Sequence, residues 1–266
     1  MEDAKNFFNI VFFIVMCTLG ILSYIQARKT LFSPIKTEIF KVQIDEFKSV
    51  LAFFNKRSQT DFDEEFDFQK ILEINALQMQ LSYINLFFKN QISAPKELTE
   101  FLKSSTYGVV VSKEKASKFF EVVTPGSELK ENNEEDGNDI EEPPAALILA
   151  QWENFMLPGT HYTEKFHEKM NEITLLAASP LLPKNLTNLM YDFIKVINEN
   201  LMTIGKQVEL AAKEMPHKYA TPKDVIRFNP SWIWNNFNHE RKSTDEASAK
   251  ILSYINEHLK IDEIIK

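Results

Sequence analysis

An uninterrupted apolar run near the N-terminus dominates the hydrophobic pattern of this chain. The run, FFNIVFFIVMCTLGILSYI, extends from Phe7 to Ile25. No charged residue lies between Lys5 and Arg28. At a rise of about 1.5 Å per residue, a helix of this length covers roughly 28 Å, which is close to the hydrocarbon thickness of a bilayer. The pattern therefore predicts an N-terminal tail and a transmembrane anchor within residues 1–30.

A cleaved secretory signal peptide is the alternative interpretation of the same run, because Ala27 offers a small residue at a cleavage position. Glu2 and Asp3 argue against it, since export signals begin with net positive charge. The apolar run is also longer than the usual core of a signal peptide, and Arg28 would directly follow the cut. We therefore predict an uncleaved anchor.

The distribution of basic residues around the span predicts its orientation. Only Lys5 precedes the span, and two acidic residues offset it. The basic residues that follow the span are Arg28, Lys29, Lys36 and Lys41. The positive-inside rule then predicts a cytoplasmic-facing soluble domain, although a short tail before a large domain also suits a signal anchor that exports the domain. The single cysteine, Cys17, lies inside the span and does not distinguish the two compartments.

Beyond the anchor, Ser33 and Pro34 predict the start of a new helix, because serine is a favoured N-cap and proline a favoured first-turn residue. Apolar residues then recur at steps of three and four in two segments, separated by a polar turn at residues 55–60. The first series is Phe40, Ile44, Phe47, Leu51 and Phe54, and the second is Ile74, Leu77, Leu81, Ile84 and Phe88. Two helices joined by a short turn are expected to pack antiparallel, so residues 31–123 are predicted as a helical hairpin region.

The segment from Tyr107 to Val111 contains three consecutive valines, which favours an extended backbone. A single strand without a partner is not stable by itself. We therefore predict an extended connector packed on the bundle instead of a strand. A helix is predicted to resume over residues 112–123, with Phe119 and Phe120 as its apolar contacts.

Acidic residues are concentrated in one segment in the middle of the chain. Between Glu128 and Glu142 there are eight acidic residues and one basic residue, which account for most of the net charge of −8. With so few apolar residues, the segment cannot offset the entropy cost of ordering, so residues 124–144 are predicted as an acidic disordered linker. A docking tail for a basic partner is the alternative to a solvated spacer. Elsewhere both signs are mixed, which predicts no nucleic-acid partner.

Residues 145–266 are predicted as a C-terminal helical domain. Its longest periodic element is a single apolar stripe that runs until Pro216. The stripe consists of Leu186, Met190, Phe193, Ile197, Leu201, Ile204, Val208 and Ala211. Thr221 and Asp224 have the spacing of a capping box, and Ser243 precedes the last predicted helix.

The part of the chain after the anchor contains no recognised catalytic signature. All five histidines follow the linker, and His167 and His217 each end a Glu-x-x-His spacing. Carboxylate and imidazole groups three residues apart share a helix face, as in bundles that hold paired metal ions. Pro216 interrupts the second copy, and glutamate is common enough here for the spacing to arise by chance. We therefore predict no catalytic residue, no metal site and no cofactor.

The segment FNPSWIWNNF, residues 228–237, is the most distinctive stretch of the soluble part. Its aromatic residues form a candidate interface with a protein partner or with the membrane surface, since tryptophan suits both settings. The candidate interface residues are Phe228, Trp232, Trp234 and Phe237. The alternative is that these rings close the end of a helical bundle.

Six glycines beside 22 phenylalanines favour helices over tight turns, so the predicted fold class is all-α. The predicted architecture is a single N-terminal transmembrane helix followed by a soluble multi-helix bundle with the acidic linker. Heptad-like stripes are typical of coiled coils and favour a protein partner or self-association. We predict a noncatalytic scaffold, assembly or signalling component at the membrane. The alternative is a membrane-tethered helical enzyme or ligand-binding sensor with a pocket in the C-terminal bundle.

Overall fold

A computed structural model describes residues 2–112, 115–116 and 144–259, with the side chains of residues 2–5 and 31–36 excepted. Within these ranges the chain forms helices and one small sheet, so the all-α prediction is confirmed. The helices are α1 (Glu2–Phe54), α2 (Gln59–Glu65), α3 (Phe68–Phe87), α4 (Lys96–Ser105), α5 (Ala145–Glu153), α6 (Glu164–Ala177), α7 (Lys184–Lys218), α8 (Pro222–Ile226), α9 (Ser231–Glu240) and α10 (Thr244–Leu259). The strands are β1 (Gly108–Val110) and β2 (Thr160–Tyr162). Most of the predicted helix at 112–123 and of the predicted linker lies outside the described residues.

Helix α1 is continuous over 53 residues, which corresponds to about 80 Å at helical rise. It passes through Ser33 and Pro34, so the prediction that a new helix starts there is wrong. A proline inside a helix removes one backbone donor, and the long helical stretches on both sides outweigh this local loss. Among the described side chains of α1, those at its C-terminal end enter the core, where Phe47, Val50 and Phe54 are almost completely buried.

Helix α7 is the central element of the body, and the predicted apolar stripe along it is buried throughout. Helices α3, α6, α9 and α10 all pack against it. The helix continues past Pro216 for two residues, because a proline in the last turn interrupts little of the remaining hydrogen bonding. One hydrophobic core contains buried residues from both sides of the predicted linker, including Phe62 from α2 and Phe193 from α7. The two halves of the chain therefore fold around the same core.

Helices α1 and α3, which correspond to the predicted hairpin, pack mainly against other helices and not against each other. The end of α1 contacts α6 and α10, whereas α3 lies along α7. The second half of the predicted hairpin is also divided, because Asp67 adopts a left-handed conformation with a φ of 56° between α2 and α3. Burial against the long apolar face of α7 thus determines where α3 packs.

Strands β1 and β2 pair antiparallel, with Val109 opposite His161. The prediction of an unpaired connector at residues 107–111 is therefore wrong, because a partner strand is present directly before α6. The buried side chain of Asn75 in α3 holds this sheet in place: its amide oxygen accepts from the His161 backbone N–H, and its amide nitrogen donates to the His161 carbonyl, both at 2.9 Å. One α3 side chain thus satisfies both backbone groups of a strand residue.

Local helix signals in the C-terminal half agree with the structure. The Thr221 hydroxyl accepts from the Asp224 backbone N–H at 3.4 Å and so caps α8. The Ser243 hydroxyl accepts from the Glu246 backbone N–H at 3.2 Å at the start of α10. Both predicted helix starts are confirmed, because short hydroxyl side chains satisfy the free N–H groups of a first turn.

Candidate functional site

The N-terminal part of α1 is exposed and strongly apolar. The candidate span is Asn6–Thr30, in which a window of 18 residues reaches a mean hydropathy of 2.2, and none of this segment is buried against the body. At about 1.5 Å per residue it measures roughly 37 Å, so its length and composition are sufficient to cross a bilayer. A signal sequence has similar properties. The complete exposure shows that this segment is not a core helix of the folded body.

Residues 31–42 of α1, here called the stalk, connect this apolar segment to the body. The body begins at Gln43, whose side-chain amide donates to the Leu181 carbonyl at 2.9 Å. Apolar side chains remain exposed on the stalk, with Ile39, Phe40 and Val42 each about half accessible to solvent. With no neighbouring helix among the described residues, these half-exposed side chains are unfavourable in water, since complete burial of one fully exposed side chain of this size is worth about 1.5–3 kcal/mol.

The four candidate interface residues do not form one continuous exposed patch. Phe237 is completely buried and contacts the Phe68 ring at 6.0 Å between centroids, so it belongs to the core. Phe228 is half-buried against Tyr219. Trp232 and Trp234 are also half-buried. Part of the aromatic segment therefore stabilises the bundle, whereas its remaining rings have faces at the surface.

Trp232 lies beside the end of α7. The Lys218 ammonium is 3.6 Å from the centroid of the Trp232 ring, which is a favourable cation–π distance. The indole N–H of Trp232 is buried and has no hydrogen-bond partner among the described residues. The lysine thus covers one face of this ring, and Trp234 is the aromatic residue that borders an open cavity.

A polar cleft of about 530 Å³ lies between α2, the start of α6 and α9. It has a volume typical of small-molecule sites, although its lining is more polar than that of most ligand pockets. The residues that line the cleft are Thr60, Asp63, Glu64, Asp67, Gln69, Lys165, Trp234, Asn238 and Arg241. Of these residues, Trp234 is the one predicted from the sequence as a candidate interface residue.

An ion pair between Asp63 and Arg241 forms the buried part of the cleft lining. The Arg241 Nη1 donates to Asp63 Oδ2, and the side chains are only 11% (Asp63) and 14% (Arg241) exposed. With the Gln59 amide oxygen turned towards Arg241, it accepts from Nε at 2.7 Å and from Nη2 at 3.1 Å. All three guanidinium nitrogens therefore have partners within the protein. The guanidinium also lies 5.6 Å from the centroid of the Phe237 ring.

The second carboxylate oxygen of Asp63, Oδ1, is buried and has no hydrogen-bond partner among the described residues. Burial raises the pKa of Asp63 above its ordinary value, while the hydrogen bond and positive charge of Arg241 act in the opposite direction. A buried acceptor without a donor is unusual, because native proteins satisfy most of their buried polar atoms. Asp63 therefore keeps one buried acceptor atom without a donor among the described residues.

Histidines do not assemble a metal site within the described part of the chain, where no group of three or more His, Cys, Asp or Glu side chains could hold an ion. His167 instead stacks on Tyr107 and has its Nε2 at 2.9 Å from the amide nitrogen of Asn171. Burial lowers the pKa of His161, whose Nδ1 has no partner among the described residues.

Asp63 and Arg241 are not predictable as a pair from the sequence, because no local pattern connects them. They are 178 residues apart: Asp63 lies in α2, before the predicted linker, and Arg241 directly follows α9, after it. Within the sequence, Asp63 is one of many acidic residues in amphipathic helices. The chain matches no protein-family model, no curated protein and no solved structure.

Proposed function

We propose that this chain is a single-pass membrane protein whose helical body acts as a noncatalytic scaffold, assembly or signalling component at the membrane surface. The observation that carries the proposal is the exposed apolar segment Asn6–Thr30, which is unburied although it belongs to the same helix as the core residue Phe47. A bilayer provides the burial that the body does not. The body is proposed to face the cytoplasm, in line with the basic residues that follow the span.

Alkaline extraction of membranes tests the anchor. Full-length protein should remain in the membrane pellet at alkaline pH and be released by detergent, with the N-terminal segment still present by mass spectrometry. The double variant Phe12→Arg and Val15→Arg should move into the soluble fraction, since each arginine near the centre of a span costs about 2.5–3.5 kcal/mol of insertion free energy.

The matched control for extraction is Ile39→Arg with Val42→Arg, which makes the same change in charge at the same spacing in the stalk. This variant should still be found in the pellet. A wild-type protein that begins near Arg28 would instead identify a cleaved signal peptide and contradict the anchor. Protease treatment of intact cells and of broken cells determines the orientation, and cleavage of the body from outside intact cells would contradict the cytoplasmic assignment.

Self-association through the stalk is the partner interaction that we propose. Ile39 and Val42 are three residues apart and share one face of α1, whereas Lys41 lies on the opposite face. A second copy of α1 in the same membrane presents an identical apolar face at the same depth. Pairing of the two faces would bury side chains that are now about half exposed.

Disulfide cross-linking in isolated membranes tests this pairing. In a Cys17→Ser background, Ile39→Cys is expected to form a covalent dimer after mild oxidation, and Lys41→Cys is expected to remain mainly monomeric. Equal cross-linking at both positions would show that collisions, not a defined interface, bring the helices together. Failure of both cysteines to cross-link would contradict self-association through the stalk while leaving the membrane anchor intact.

A further inference from the structure

We propose that residues 260–266, which lie outside the described part of the chain, continue α10 and pack on the stalk of α1. Phe40 is the centre of this docking surface. Three observations carry the proposal: the direction of α10, the exposure of Phe40 on the face of α1 that α10 covers, and the isoleucines in the sequence after Leu259. The proposal does not depend on the membrane anchor, because these features belong to the body and the stalk.

Helix α10 runs antiparallel to the end of α1. Just before α10 begins, Arg241 forms an ion pair with Asp63 of α2, the helix that follows α1 in the chain. Near the other end of α10, the ring of His258 lies 5.3 Å from the ring of Phe47 between centroids. Phe47 precedes the end of α1 by seven residues, so α10 goes back along α1. The C-terminal end of α10 therefore points to the stalk.

An apolar face of α1 continues beyond the contact with α10. Phe40 and Phe47 are seven residues apart, so they share one face of the helix. Phe47 is 1% exposed and Phe40 is 54% exposed, with the half-buried Ile44 between them. Ile39 and Val42, which we propose for the pairing of two stalks, are turned away from Phe40 by about 100° or more around the helix. Both contacts can therefore form in one molecule.

The sequence beyond α10 carries apolar residues at the positions that this face of α1 requires. His258 belongs to a face of α10 that also includes the buried Ile251 and the half-buried Tyr254, whose ring stacks on that of His258 at 5.7 Å. These three residues are separated by steps of three and four. The next steps of three and four lead to Ile261 and Ile265. The face of α10 that meets α1 thus continues in the sequence as an apolar stripe.

The spacing on the two helices also matches along their length. Ile265 follows His258 by seven residues, and Phe40 precedes Phe47 by seven residues. Each interval covers about 10 Å at helical rise, so an antiparallel pair places Ile265 level with Phe40. Ile261 then fills the step between the two contacts. No proline or glycine follows His258 in the sequence, so the helix can continue over this distance.

Disulfide cross-linking in isolated membranes tests the docking. In a Cys17→Ser background, Phe40→Cys with Ile265→Cys should form an internal disulfide after mild oxidation, identified by mass spectrometry of the linked peptides. The matched control is Lys41→Cys with Ile265→Cys, since residue 41 is turned by about 100° from residue 40. Equal yields from both pairs, or no disulfide from either, would overturn the proposal. A covalent dimer that requires both Phe40→Cys and Ile265→Cys would assign the segment to the stalk of a second copy and would also overturn it.

Hydrogen exchange of the full-length protein in detergent is the second test. Ile261→Ser with Ile265→Ser should accelerate exchange of the amides in the last turn of α10 at least about fivefold, and Phe40→Ala should act in the same way. The unfolding midpoint of the body should not change, because this contact lies outside the core. The control, Lys260→Ser with Glu263→Ser, replaces stronger helix formers on the opposite face and should leave exchange unchanged. Equal acceleration in the control, or none in the isoleucine variant, would contradict docking on the stalk.

Discussion

Replacing Phe193 by alanine is expected to lower the free energy of unfolding of the body by about 3–5 kcal/mol. Phe193 is completely buried in α7, and its ring meets those of Phe54 at 5.0 Å and Phe62 at 5.1 Å between centroids. Phe54 belongs to α1 and Phe62 to α2, so one ring joins three helices. Truncation would remove the buried ring and leave a cavity that the rigid neighbours cannot fill.

Denaturant unfolding of the detergent-solubilised chain, followed by circular dichroism, measures this loss. The matched control is Phe40→Ala, which makes the same change on the exposed part of α1 and should leave the unfolding midpoint of the body unchanged. If Phe193→Ala unfolded at the wild-type midpoint, the aromatic cluster between α1, α2 and α7 would not be the centre of the core.

Replacing Arg241 by methionine is expected to cost about 3–5 kcal/mol at neutral pH. The substitution removes the guanidinium and leaves the carboxylate of Asp63, which is 8% exposed, without a partner among the described residues. Removing both charges, with Asp63→Leu added to Arg241→Met, should recover much of this loss, because no uncompensated charge then remains buried. Lys48→Met, which breaks an exposed ion pair with Asp45, is the control and should have no measurable effect.

The pH dependence of the Arg241→Met variant distinguishes loss of charge pairing from loss of packing. Burial raises the pKa of Asp63 above 3.8 in the folded state, and removal of Arg241 raises the pKa further. A carboxyl group with a raised folded pKa favours folding at low pH, and this contribution is lost as pH rises through that pKa. The destabilisation should therefore shrink as pH falls from 7 towards about 4. A penalty that stays constant with pH would indicate lost packing instead.

Helices that carry a long apolar stripe or a local capping signal are the parts of the fold that the sequence predicts. The stripe from Leu186 to Ala211 is sufficient to predict α7, because apolar residues at steps of three and four share one face only in a helix. That face is buried in the structure. The starts of α8 and α10 are predictable because Thr221 and Ser243 make local contacts. The continuity of α1 through Pro34 is not, since a serine–proline pair normally marks a helix start.

The sheet and the cleft depend on contacts between distant residues. Strand β1 has three residues, too few for an alternating pattern, and its position depends on pairing with Thr160–Tyr162 and on the amide of Asn75. The cleft depends on the pairing of Asp63 with Arg241, and neither residue differs in sequence from an ordinary surface charge. Of the cleft residues, Trp234 was predictable as a candidate because the chain has only three tryptophans and two of them lie in one short segment.

The unbroken course of α1 has a mechanical consequence. If the apolar segment of α1 crosses a bilayer as proposed, any tilt of that segment also moves the body, because the same helix ends among the core rings. Thr30 and Phe47 are 17 residues apart, or about 25 Å along the axis, so a tilt of 10° displaces the body by roughly 4 Å. A change in bilayer thickness, or a rotation of one span against another, would then change the distance of the body from the membrane and its orientation. The body itself would not have to rearrange.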